Sequence, residues 1–277
     1  MSIVKGFPQK QGLYDPALEK DACGVGFIAD VTGEKSHEII KKGLEILKNL
    51  SHRGATGSDP ETGDGAGILM QIPHEFLVAE LAKEGIKLPR LGDYGVGMVF
   101  LPMEPHARYF CEGVFERNIR EEGLSFLAWR EVPVDDKACG VSARGTRPVV
   151  QQVFIARGGQ DPELFARKLY IVRKRVENDI YQAAKPYTEA FYVCSLSAQT
   201  VVYKGQFLAH QIERFYPELT DRRLTSAMVT VHQRYSTNTF PSWRLAHPYR
   251  FLAHNGEINT IRGNIKWVQA RESELTS

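Results

Sequence analysis

Short β-forming runs that follow one another without a helix between them restrict this chain's fold more than any other feature. They fall at residues 68–72, 95–101, 149–156, 190–196, 200–203 and 228–234. A further strand is read over 23–30, CGVGFIAD, with Cys23, Val25 and Phe27 on one side by its period of two. Several runs are consecutive, which points to largely antiparallel sheets covered by helices rather than to a doubly wound parallel sheet.

Helical spacing is clear in three places. From Ser36, taken as N-cap, Glu38 suits the positive helix end and Ile40, Leu44 and Leu47 recur on one face. A second helix starts at Asp161 as N-cap with Pro162 in its first turn, and carries Phe165, Leu169, Val172 and Val176 on one face. Its Arg167, Lys168, Arg173, Lys174 and Arg175 read as the solvated side of an amphipathic helix in preference to a nucleic-acid patch. A third helix is expected after Asn255, with Ile258, Ile261, Ile265 and Val268 facing inward. Residues 51–67, SHRGATGSDPETGDGAG, hold Gly54, Gly57, Gly63, Gly65 and Gly67, and form a long shaped loop.

Composition narrows the function classes. The 277 residues allow one large domain or two small ones, and 43% hydrophobic with 25% charged residues is ordinary for a globular protein. A formal charge of +2 is far below the basic excess of a nucleic-acid binder, and no apolar run reaches the length of a membrane span. Cys23, Cys111, Cys139 and Cys194 form no CxxC pair and are too few for a disulfide framework. The polar first 22 residues lack the apolar stretch of a signal peptide, so a reduced cytoplasmic protein is expected.

Several chemical motifs fail. Gly95 and Gly97 begin a dinucleotide fingerprint, but Phe100 stands where the third glycine belongs. The glycine loop lacks the lysine of a phosphate-binding P-loop. Asp59, Glu61 and Asp64 resemble a calcium loop until its twelfth position, which is Met70 rather than a glutamate. The eight histidines contain no HExxH and no zinc spacing with cysteines, so no metal site is assigned.

Three clusters remain. Cys23, followed by Gly24, heads a strand behind residues 1–22; it reads either as a buried structural cysteine or as a nucleophile needing a base. If the leader were removed, its own α-amino group would titrate near neutral pH within reach of the thiol. Arg53, in Ser51-His52-Arg53-Gly54, reads as an ordinary surface arginine or as a carboxylate-binding fork. The third cluster joins HQRYSTNT (232–239) to HNGEINT (254–260). Asn255-Gly256 fits a simple hairpin turn, or a side-chain amide and a backbone N–H converging on an oxyanion. Arg234, at a strand end, is placed to hold a substrate carboxylate.

Together, CGVGF, HRGATGSDPETGDGAGIL, HQRYSTNTFPSW and FLAHNGEINTIRGN resemble the N-terminal glutamine amidotransferase domain of glutamate synthase large subunits, a class II, N-terminal-nucleophile family. The resemblance implies an α+β fold, a four-layer α/β/β/α sandwich, expected to be incomplete at its C-terminal end. It implies that 1–22 is a propeptide-like leader, and that 23–277 is the amidotransferase domain with Cys23 as its nucleophile. Asn255 and Gly256 match the family's oxyanion hole, Arg234 its clamp on the glutamine α-carboxylate, and Arg53 a second arginine beside the nucleophile. The implied reaction hydrolyses L-glutamine through a γ-glutamyl thioester. Ammonia then passes to 2-oxoglutarate at synthase domains or a synthase subunit carrying FMN and a 3Fe–4S cluster. No cofactor is expected in this chain, whose cysteines are scattered. The family's aspartate for the glutamine amine has no counterpart, since Asp221 lies upstream of Arg234. An uncleaved docking domain, or an amidase acting on another amide, are the alternative readings.

Overall fold

The computed structural model describes residues 10–12, 15, 23–183, 190–236, 239–254 and 261–274. In chain order its strands are β1 (Val25–Ala29), β2 (Ala66–Gln71), β3 (Tyr94–Leu101), β4 (Ser125–Glu131), β5 (Val149–Ala156), β6 (Tyr192–Ser197), β7 (Thr200–Gly205) and β8 (Met228–Gln233). The helices are α1 (His37–Asn49), α2 (His74–Ala82), α3 (Pro105–Glu121), α4 (Val141–Gly145), α5 (Pro162–Gln182), α6 (Ile212–Phe215) and α7 (Ile261–Arg271). One four-stranded sheet runs β1-β8-β2-β7 and the other β4-β5-β3-β6. Every strand pair is antiparallel. Helix α1 lies across β1 and β8, while α3 and α5 pack on each other and on the second sheet. The result is the expected α+β sandwich: helix, sheet, sheet, helix.

The central strands of the second sheet show why their sequence reads as continuous apolar runs. Val96, Met98 and Phe100 of β3, with Val150 and Phe154 of β5, face the first sheet. Val99 and Leu101, with Val149, Val153 and Ile155, face Phe115, Phe165, Leu169 and Val172 of the helices. Both faces are buried, so period-two alternation of polarity disappears. Each aromatic ring so buried contributes roughly 1.5–3 kcal/mol. Helix α5 is fixed at its start by Asp161, whose carboxylate accepts from the N–H groups of Glu163 and Leu164 at 2.9 and 3.2 Å.

Three local expectations need correction. Ser36 occupies the N-cap of α1, but its side chain makes no capping bond; its backbone instead bridges Ser226 through a reciprocal pair of 3.1 and 3.2 Å. The basic residues of α5 are not simply solvated. Arg173 is buried and ion-paired with Glu177, and Arg175 bonds Glu121 and Glu122, tying α5 to α3. In α7, Ile261, Ile265 and Val268 are exposed rather than inward, and no residue of that helix is buried. Helical spacing tells which side chains share a face; it does not supply a surface to receive them. Ile258 lies outside the described residues.

Candidate active site

Pairing of β1 with β8 assembles the site. The register sets Val25 opposite His232, and the Gln233 N–H donates to the Gly24 carbonyl at 2.7 Å. Continued by the same rule, this ladder brings Cys23 opposite Arg234. Cys23, His232 and Arg234 therefore share one face, away from α1. The two chains approach so closely that a Cβ at position 24 would lie 2.1 Å from the Gln233 carbonyl oxygen and 3.2 Å from the Arg53 Cβ. Only glycine fits after the cysteine. The same approach brings Arg53 beside the Cys23-Gly24 peptide.

Cys23 is half-buried, and its Sγ lies 3.4 Å from His232 Nε2. His232 is fully buried and stacks on His247, with ring centroids 4.6 Å apart. Burial, with His254 and Arg234 nearby, pulls His232 down to about 4. Burial and the neighbouring His232 and Lys204 pull His247 down to about 3. Both rings are neutral at physiological pH. The other three cysteines are buried thiols, and burial raises Cys194 to about 12, so none of them is poised for attack.

Arg234 is buried beneath the 51–67 loop. Its guanidinium donates to the Asp64 carbonyl at 3.3 Å and to the hydroxyls of Ser236 and Thr239 at 3.1 and 2.9 Å. The loop's Asp64 carboxylate accepts instead from the Ser236 N–H at 2.6 Å. Among the described residues no carboxylate lies within ion-pair distance of Arg234: neutral oxygens make its hydrogen bonds, and the buried Asp64 carboxylate attracts it without direct contact. Burial lowers its proton affinity from the ordinary arginine value. Burial thus outweighs the attraction of Asp64, and no described carboxylate touches the guanidinium.

Behind the site, Lys204 of β7 is fully buried, donating to the carbonyls of Arg244 and Ala246 at 3.0 and 2.7 Å, with its Nζ 4.5 Å from the centres of the Tyr192 and Tyr249 rings. Burial pulls it to about 7, while carbonyls and ring faces favour its charged form. It pins the segment leading into His247. That segment presses on β2, where a Cβ at Gly67 would lie 2.3 Å from the His247 carbonyl oxygen.

Asn255 and Gly256 lie outside the described residues, as do most of residues 1–22. His232, His247 and Lys204 were missed by sequence reasoning. Position 232 alone carried a signal, two residues before Arg234 on the same side of a strand.

A family model described as "Glutamine amidotransferases class-II" matches residues 23–277, beginning at Cys23. The chain belongs to that family. It is 47% identical over 274 residues to a protein named glutamate synthase [NADPH] large chain from Bacillus subtilis (strain 168), covering 98% of this chain and 18% of that relative. It is 43% identical over 264 residues to the protein of the same name from Azospirillum brasilense, covering 95% and 17%. With the glutamate synthase [NADH] of Schizosaccharomyces pombe it shares 41% identity over 283 residues, covering 100% of this chain and 13% of the relative. This amidotransferase chain thus spans less than a fifth of the length of these relatives. No helix among its described residues is long and apolar enough to cross a membrane.

Proposed function

We propose that this chain is the ammonia-supplying part of a glutamate synthase, hydrolysing L-glutamine at Cys23. The observation that carries the reading is the alignment of Cys23 with Arg234, a buried cation whose hydrogen bonds go only to neutral oxygens. An amino-acid substrate brings the missing carboxylate to Arg234 and sets its own side-chain amide toward the sulfur. Arg53, whose Cβ lies beside Gly24, is a second positive residue next to the nucleophile's neighbour.

In this mechanism the Cys23 thiolate attacks the amide carbon, and the electron pair moves to the amide oxygen. Asn255 and Gly256 supply donors to that oxyanion. Removal of the 1–22 leader gives Cys23 a free α-amine, which takes the thiol proton and passes it to departing ammonia. Water then attacks the γ-glutamyl thioester, releasing glutamate and the thiol. Ammonia serves the amination of 2-oxoglutarate at an FMN- and 3Fe–4S-bearing synthase centre on other domains or a partner subunit. Among the described residues no three His, Cys, Asp or Glu side chains converge to hold a metal.

Release of glutamate and ammonia from L-glutamine tests the reading, with intact mass reporting whether the leader is present. Arg234→Met is expected to raise KM for glutamine about 10²-fold, through loss of a buried charge contact, while kcat falls less. Cys23→Ala is expected to abolish turnover. Turnover surviving in Cys23→Ala, or an unchanged KM in Arg234→Met, refutes it.

A further inference from the structure

The contact between Cys23 and His232 has the outline of a thiol–imidazole catalytic pair, yet the surroundings of the ring assign it a different part. We propose that His232 is a neutral hydrogen-bond donor to the Cys23 sulfur, with the ring proton on Nε2, and that it holds the thiolate without serving as its base. The inference rests on Cys23 being the nucleophile of the proposed reaction.

The position of the donor is fixed by the fold. His232 stands near the end of β8, between two neighbouring strands, opposite Val25 on one side and Gly67 on the other. Its ring is clamped by the stack on His247. Nε2 is thereby held 3.4 Å from Sγ, within range for a bond to sulfur.

The other nitrogen decides the tautomer. Nδ1 is buried and has no hydrogen-bond partner among the described residues. A proton there would be a buried, orphaned N–H, which folded proteins almost never tolerate; a bare ring nitrogen in the same place is the lesser cost. Placing the proton on Nε2 leaves Nδ1 bare and aims the N–H at the sulfur.

An imidazolium is disfavoured as well. It would bury a further positive charge beside Arg234 and His254, with His247 stacked against it, and burial already pulls His232 down to about 4. A ring so weakly basic is a poor acceptor for a thiol proton. As a fixed neutral donor it helps twice: when the thiol gives up its proton, and when the thioester breaks and sulfur again takes up the electron pair.

Two variants imitate the two tautomers. The amide nitrogen of Gln reaches the place of Nε2, and that of Asn the place of Nδ1. In the full chain, the rate of iodoacetamide labelling at Cys23, followed by peptide mass, is expected to fall at least about tenfold in His232→Asn. In His232→Gln the fall is expected to be much smaller. Long-range proton–nitrogen NMR on the unmodified chain should show His232 with its proton on Nε2 across neutral pH. A proton on Nδ1, an imidazolium, or equal labelling in the two variants overturns the proposal. If the Gln and Asn variants separate as expected while L-glutamine is not hydrolysed, the amidotransferase reading fails and the His232 assignment stands. If glutamine is hydrolysed equally well by both variants, the reading stands and the His232 assignment fails.

Discussion

Two of the polar clusters buried in this sandwich are built on opposite terms. Between the sheets, Arg130 donates to Glu218 at 2.7 Å and to Gln152 at 2.8 Å, while Tyr203 donates to Glu218 at 2.5 Å and accepts from Gln152 at 3.3 Å. Carboxylate, guanidinium, amide and phenol close on one another. At the end of the β1–β8 ladder, Arg234 has no carboxylate partner among the described residues, and His232 keeps one ring nitrogen without a bond. Burying polar groups is unfavourable in both places, but only the first recovers the cost internally. The closed cluster belongs to the architecture. The open one is left for the proposed substrate to complete.

The contrast breaks if the two arginines behave alike. Arg130→Met leaves Glu218 buried without its partner, and is expected to cost about 3–5 kcal/mol in urea unfolding with KM for glutamine unchanged. Arg234→Met, which breaks no direct ion pair and leaves Asp64 its bond from the Ser236 N–H, is expected to cost less, about 1–2 kcal/mol. A smaller but more local effect comes from Gly24→Ala. Its Cβ would lie 2.1 Å from the Gln233 carbonyl oxygen, so β1 and β8 must part where Cys23 sits. Glutamine turnover should drop about 10²-fold, the usual cost of moving a reacting group by about 1 Å; unchanged turnover would show that the close approach does not position the sulfur.

The smallest effect is a slope. His232 and His247 lie near 4 and 3 when folded, against the ordinary value of about 6.5. As pH falls from about 7 to about 5 the unfolded chain takes up protons that the folded one refuses. Stability is therefore present above about pH 6.5 and declines as pH falls, by up to about 1.4 kcal/mol per pH unit for each ring. Urea midpoints across that window measure it, and a flat profile would mean that the rings are charged when folded.

How much of this could be read from the chain depends on how local the signal is. The strand at 149–156 and the Asp161 cap of α5 were legible because neighbouring residues encode them. Strand β4 was not: a register shift between Phe126 and Ala128 interrupts its alternation, and it ends on Arg130 and Glu131. Helix α3 was missed because its buried Cys111, Val114, Phe115 and Ile119 are diluted by a run of charged neighbours. At the site, the motif residues stood out, but His232 reads in sequence as one more histidine in a strand. Its role depends on a pairing between residues 209 positions apart. The outward face of α7 was misread for a related reason, since no local pattern states what lies across from a helix.

The backbone-to-backbone seam at Gly24 and Gly67 also bears on how this site can be altered. Neither position has room for even a methyl group, so changes of substrate preference cannot be sought by enlarging residues along the seam. The open side of β1 is different: Val25 and Phe27 are 38% and 76% exposed, on the same strand face as the cysteine. A library aimed at new amides would find its tolerated diversity there, leaving the rigid wall that aligns the sulfur untouched.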